Sequence, residues 1–235
     1  MMNIRRDPEV TMQSLDDSNT LFRMNCAAPE VNLNRVLKTY GYKDPAKAPA
    51  KVRLGAIEAI DIARGLAIPQ PYVTVAAIRS LEKGVIVLED NTIFTCPAFD
   101  RHLVGCDAAC IFVTTLGDKI DKRIQQCFGD DFQPLHALSI GTSGWLMIES
   151  VTRLFMIHLK EHFSHQGKTL TIRMGPGYSY PHGKGNRVSW DLSEQHQLFS
   201  LFADVDLPIS LTKGFSMQPS MSRSGMAGLR SPKAS

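Results

Sequence analysis

The sequence predicts an α+β domain built on a mixed or antiparallel sheet. Strand-like and helix-like stretches follow one another irregularly, and no βαβ series is visible that would lay down a doubly wound parallel sheet. The 235 residues include 43% hydrophobic and 21% charged side chains, enough apolar material for one substantial core. The formal net charge of +3 is small and its Lys and Arg are scattered, which argues against a dedicated nucleic-acid surface. No apolar run approaches the roughly 20 residues that cross a bilayer, so no membrane span is expected. Met1 to Val10 carries Arg5, Arg6, Asp7 and Glu9 with no apolar core behind them, unlike a secretory signal, which makes the cytoplasm the default address.

Residues 1–28 are polar and irregular and read as a mobile lead-in to a domain over 29–228, with 229–235 a flexible basic tail. The spacing of Leu33, Val36, Leu37 and Tyr40 predicts a helix that Gly41 stops. A turn over Asp44 to Pro49 opens a second helix, from about Ala50 to Leu66, with Val52, Ile57, Ile60 and Ala63 inward. The β-branched runs Tyr72 to Ile78 and Val85 to Leu88 predict strands, and Glu89-Asp90-Asn91 turns the chain into Thr92-Ile93-Phe94 as a hairpin. A short helix around Ala98 to Leu103 precedes the buried-strand run Ala108 to Thr115. Two helices follow, Asp118 to Cys127 and Leu135 to His162. The second shows Leu138, Gly141, Trp145, Ile148, Thr152, Phe155 and Leu159 at helical spacing, with small Gly141, Ser143 and Gly144 leaving room for a neighbour. Leu170 to Arg173 is a short strand, Trp190 to Phe202 a helix capped by Asp191 or Ser193, and Ile209 to Thr212 the last ordered piece before a loop to Gly228.

The segment richest in potential chemistry is Arg173 to Gly185, R-M-G-P-G-Y-S-Y-P-H-G-K-G. Its glycines expose backbone, Arg173 offers a planar fork for a carboxylate, and Tyr178 and Tyr180 offer ring faces and hydroxyls. The same composition also suits a plain surface loop. A phosphate loop is excluded, because five residues separate Gly177 from Gly183-Lys184 and Gly185 follows; no G-x-G-x-x-G joins a strand to a helix either. A second segment, Thr212 to Gly225, alternates hydroxyls at Ser220, Ser222 and Ser224 and reads as either a binding loop or a polar terminus. His158, His162 and His165 share helical spacing, but without an accompanying carboxylate motif they read as a solvated helix end. Cys26, Cys96, Cys106, Cys110 and Cys127 read as reduced structural thiols, and no metal site is expected. No nucleophile elbow or carboxylate pair is present.

Four ordered segments together resemble one family. Arg173-Met174-Gly175-Pro176-Gly177-Tyr178 matches the R-x-x-x-G-Y element of the reactivation (activation) domain of cobalamin-dependent methionine synthase. Leu211-Thr212 through Phe215, Met217, Pro219, Ser222, Ser224 and Gly225 resembles that domain's L-T-x-x-x-x-M-x-P-x-x-S-x-S-G. Cys106 with Phe112 to Gly117, and Trp190-Asp191-Leu192-Ser193-Glu194-Gln195 with Leu198-Phe199, resemble segments of its short free-standing members.

The resemblance implies a bent α+β domain on a twisted sheet that holds S-adenosylmethionine in its concave face. It implies that Arg173 engages the ligand carboxylate, that the backbone near Gly175 and Gly177 meets the adenosyl part, and that Glu149 pairs with the amino group. Tyr178 would lie toward the corrin and the transferred methyl, the one position given a catalytic part. Cobalamin would sit only on a partner, since the D-x-H-x-x-G ligand motif is missing. The implied role is reactivation and methylation of a corrinoid protein, or of a split methionine synthase, in trans, with a separate electron donor; turnover of its own is left open. The chain departs from the family in a longer, more basic insertion over 179–189 and in Lys213, at a commonly acidic position. These departures motivate a second expectation, a non-catalytic module that docks on a corrinoid or methyltransferase partner without S-adenosylmethionine. A third is an enzyme that reuses the pocket for another adenosyl ligand.

Overall fold

The computed structural model of the protein describes residues 11–16, 20–129, 132–183 and 185–232. Its strands are β1 (Thr11–Ser14), β2 (Leu21–Asn25), β3 (Gln70–Glu82), β4 (Val85–Leu88), β5 (Ile93–Thr95), β6 (Ala108–Thr115), β7 (Thr169–Leu170), β8 (Ser179–His182), β9 (Asn186–Ser189), β10 (Ser210–Leu211), β11 (Met217–Gln218) and β12 (Ser222–Arg230). The helices are α1 (Leu33–Thr39), α2 (Ala50–Leu66), α3 (Phe99–His102), α4 (Lys119–Phe128), α5 (Pro134–Ser164) and α6 (Gln195–Ser200). Eight strands form one sheet in the order β1-β2-β3-β6-β12-β7, with β4 and β5 branching from β3. The pairings among these strands are antiparallel, as the irregular element order implied.

Strand β3 makes the branch. Gln70 to Ala77 pair with β6, and Ile78 to Glu82 pair with β4 across a register shift between Ile78 and Ser80. Such a shift kinks a strand and sharpens its twist, so one strand serves two directions of pairing. Strand β6 is buried on both faces. Ala109, Ile111 and Val113 enter a core with Phe94, Phe99, Trp190 and Met226, while Cys110 and Phe112 enter another with Phe155, Leu159 and Phe22. This two-sided burial is why its sequence runs apolar without alternation. A third core joins α1, α2, α4 and α5 through Val36, Leu37, Ala59, Ile60, Ile120, Ile140, Met147 and Val151.

Several expectations are corrected. The polar lead-in contains the β1–β2 hairpin, with Phe22 and Met24 buried in alternation and Leu21 to Arg23 paired to β3. Asp16 stabilises its turn by accepting from the backbone N–H of Thr20 and Leu21, each at 3.0 Å. Residues 1–10 and 17–19 of that lead-in lie outside the described residues.

The greatest difference is β12, expected as a loop but lying between β6 and β7. Its composition hid it: Ser-Arg-Ser-Gly-Met-Ala-Gly lacks β-branched residues because the strand runs where little side chain fits. A Cβ on Gly225 would lie 2.2 Å from Met174 O, and one on Gly228 2.5 Å from Cys106 Sγ. The expected tail begins inside this strand, since Leu229 pairs with Ala108 and Leu170, and Arg230 donates to Val104 O at 2.7 Å. Residues 233–235 lie outside the described residues.

Helix α2 buries Ala56, Ala59, Ile60 and Ala63, not Ile57, which is exposed. The alanines permit close packing on α5, which turns the larger side chain outward. On α5, Leu138 and Trp145 are likewise exposed, and the helix buries Ile140, Gly144 and Met147 instead.

Candidate functional site

A cavity of about 570 Å³ opens where α5, the loop after β7, the start of β8 and β12 meet. Its walls include Trp145 and Glu149 from α5, Arg173 to Gly175 and Tyr178 from the loop, Tyr180 from β8, and Arg223 and Ser224 from β12; Phe112 of β6 also lines it. The volume falls in the range of about 300–1,000 Å³ typical of small-molecule sites.

The loop is anchored to the sheet before it reaches the cavity. Met174 and Met226 exchange backbone hydrogen bonds, both 2.7 Å, and a Cβ on Gly175 would come within 2.9 Å of Ser224 O. The Tyr180 hydroxyl then bridges Gly175, accepting from its N–H at 2.6 Å and donating to its carbonyl at 3.1 Å. Burial holds the Tyr180 hydroxyl above its ordinary pKa, so it stays protonated and able to donate. Gly177 takes a positive φ of 82° and donates its N–H to Trp190 O at 2.8 Å.

Trp190 in turn donates Nε1–H to Glu194 at 2.6 Å, and Glu194 also accepts from Thr95 N–H. Burial of Glu194 raises its pKa. The adjacent Gln195, itself buried, accepts from Ser224 Oγ at 2.9 Å and donates to Phe215 O at 2.7 Å. The Trp190 to Gln195 segment therefore fixes both the loop and β12 from behind.

One carboxylate faces two guanidiniums. Glu149 accepts from Arg173 through Oε1, and its Oε2 lies 3.2 Å from Arg223 Nη2. Arg223 also donates to the Tyr178 hydroxyl, and its guanidinium carbon lies 6.0 Å from the Trp145 ring centre and 5.9 Å from that of Tyr178. Its Nε is buried with no hydrogen-bond partner among the described residues. The three charged groups sum to one excess positive charge, which suits an anionic group flanked by aromatic faces.

Of the residues singled out in the sequence, Arg173, Glu149, Gly175 and Tyr178 come together here. Gly177 instead turns the chain, and a Cβ there would face Leu192 at 3.2 Å. Arg223 and the part played by Trp145 were missed. The signal for Arg223 was present: hydroxyls at 220, 222 and 224 have the period of a strand, which places 223 on the opposite face. Ser222 and Ser224 do point inward, Ser222 Oγ donating to Thr115 Oγ1 at 2.9 Å. Ser220 bonds Asp121 instead, through both its N–H and Oγ at 2.6 Å. Lys213 sits exposed in the β10–β11 turn, away from the cavity walls.

The expected insertion over 179–189 is the β8–β9 hairpin, and it contributes Ser179 and Tyr180 to the cavity. His162 packs its ring against Phe22, with centroids 5.6 Å apart. No group of three or more metal-ligating His, Cys, Asp or Glu occurs among the described residues. The five cysteines are unbridged; burial pushes the Cys26 thiol up to about 11 and Cys110 up to about 12. No helix among the described residues is long and apolar enough to cross a membrane.

A curled antiparallel sheet with a long helix against it gives the chain an α+β fold like that of the methionine synthase reactivation domain. One solved structure that shows this is the MetH reactivation domain bound to AdoHcy, with a TM-score of 0.59 over 92% of this chain and 79% of that one. The two sequences are 12% identical, so the likeness is one of fold. No protein-family model and no curated protein sequence matches the chain.

Proposed function

We propose that the cavity binds S-adenosylmethionine and that the domain supports reductive reactivation and methylation of a corrinoid protein in trans. The observation that carries this reading is the grouping of Arg173, Arg223 and Glu149 beside Trp145 and Tyr178 in one cavity. An amino-acid end needs a guanidinium for its carboxylate and a carboxylate for its ammonium, and an adenosyl group needs apolar faces. Arg173 would hold the carboxylate, with Glu149 toward the ammonium. The fold of a domain solved with AdoHcy adds support.

The bound sulfonium would supply a reactive methyl group, so the chain's residues need only bind and orient it. Tyr178, half exposed beside the cavity, would lie on the side from which a corrinoid partner approaches. The electron would come from a separate donor.

Isothermal titration with S-adenosylmethionine tests the reading. Arg173→Ala removes a charge-assisted contact and should weaken binding by roughly 10-fold or more. A flat titration at millimolar ligand refutes the proposal and leaves the docking module as the reading to pursue, by capture of a purified corrinoid protein.

A further inference from the structure

Beside Glu149 and the two aromatic rings lies a cation that belongs to the protein itself. Arg223 lies against the Glu149 carboxylate, donates to the Tyr178 hydroxyl, and sits about equally far from the Trp145 and Tyr178 ring centres, at 6.0 and 5.9 Å. Its side chain is only 14% exposed, so its charge is poorly screened by water. Glu149 cannot neutralise it fully, because the same carboxylate is shared with Arg173. Its buried Nε–H is a donor without an acceptor among the described residues. Each of these facts makes the surroundings of Arg223 favour added negative charge and resist added positive charge.

We propose that Arg223 is a specificity-determining residue that makes the cavity favour a neutral S-adenosyl thioether over the cationic sulfonium. This rests on the reading that the cavity takes an S-adenosyl ligand. The two compounds share the adenosine and the amino-acid end. They differ by one methyl group and one unit of positive charge at sulfur, and a poorly screened guanidinium in the cavity wall disfavours that added charge. A domain with this preference binds the spent form of its methyl donor more tightly than the fresh form. The ratio of the two compounds, and not the donor concentration alone, then governs occupancy.

The test is a pair of titrations of the full chain, with S-adenosylhomocysteine and with S-adenosylmethionine, repeated for Arg223→Gln and Arg223→Lys. Wild type is expected to bind the thioether about 10-fold tighter. Arg223→Gln should bring the two affinities within about 2-fold, while Arg223→Lys, which keeps the charge, should retain most of the preference. Circular dichroism and melting curves establish that each variant is folded. A wild-type ratio at or below one, or a folded Arg223→Gln with the wild-type ratio, overturns the proposal and leaves the adenosyl site standing. Failure of wild type to bind either compound removes the adenosyl reading and this inference with it.

Discussion

Glu149→Gln keeps the size of the side chain and removes the single carboxylate that two guanidiniums share. The side chains of Glu149, Arg173 and Arg223 are 25%, 34% and 14% exposed, so the cluster lies between a surface pair and a buried one. A surface pair contributes about 0–1 kcal/mol, and breaking a buried one costs about 3–5 kcal/mol. After discounting for solvent at Arg173, the substitution should cost about 2 kcal/mol in all, most of it from Arg223 left facing a like charge. For a domain of this size that is a fall in Tm of roughly 4–8 °C.

Thermal unfolding followed by circular dichroism at low ionic strength measures it. Raising the salt to about 0.5 M should shrink the deficit, because the exposed part of the repulsion is screened. The double variant Glu149→Gln/Arg223→Gln should be more stable than Glu149→Gln alone, with a coupling of about 0.5 kcal/mol or more. A Glu149→Gln variant that melts with wild type at low salt, together with strict additivity in the double variant, would refute the argument that these charges are coupled.

Other positions give independent expectations. Gly55 lies inside α2, and a Cβ there meets nothing within 4 Å, so Gly55→Ala should stabilise by about 0.5–1 kcal/mol, read as a higher urea midpoint. Gly225→Ala, by contrast, drives a methyl into Met174 O and the Phe112 ring and should cost on the order of 3 kcal/mol, visible as loss of soluble protein or a large drop in Tm. Burial raises the Glu194 pKa above its value in the unfolded chain. Its contribution to stability is therefore fully present below the unfolded carboxylate pKa and is lost as pH rises through the folded value. Glu194→Gln keeps an acceptor for Trp190 without that charge, so it should melt above wild type at pH about 8 and approach it at pH about 4; the same gap at both values would contradict this.

How much of this was legible in the sequence depended on what each segment buries. Strands β3 and β6 declare themselves through Val, Ile and Phe because they fill core on one or both faces. Helices α1 and α2 were readable from their apolar spacing, and to α1 the structure adds an Asn32 cap that accepts from Asn34 N–H at 2.8 Å. The face of α2 was misjudged because alanine, not isoleucine, is the residue that lets two helices approach. Strand β12 was unreadable by propensity, since its glycines record the close passage of another backbone, a tertiary fact with no local signature. Three residues of the cavity wall, Arg173, Glu149 and Tyr178, were legible through family likeness. Arg223 falls at an unspecified position of the matched pattern, and only the two-residue rhythm of its neighbours marks it.

The position of β12 also governs the order in which the molecule can be assembled. The Ser222–Thr115 hydrogen bond closes a separation of 107 residues, among the costliest kind of contact to form early in a fold. The β3–β6 pair joins residues nearer in sequence, from Ala77 with Ala108 to Gln70 with Thr115, and can form without it. The cavity cannot, because Arg223 and Ser224 are part of its wall. A one-residue slip of β12 would exchange its two faces, taking Ser222 from Thr115, Ser224 from Gln195 and Arg223 from Glu149, so register and site are set in the same event. Completion of the cavity wall should therefore trail the pairing of β3 with β6 during refolding, with β12 seating after them.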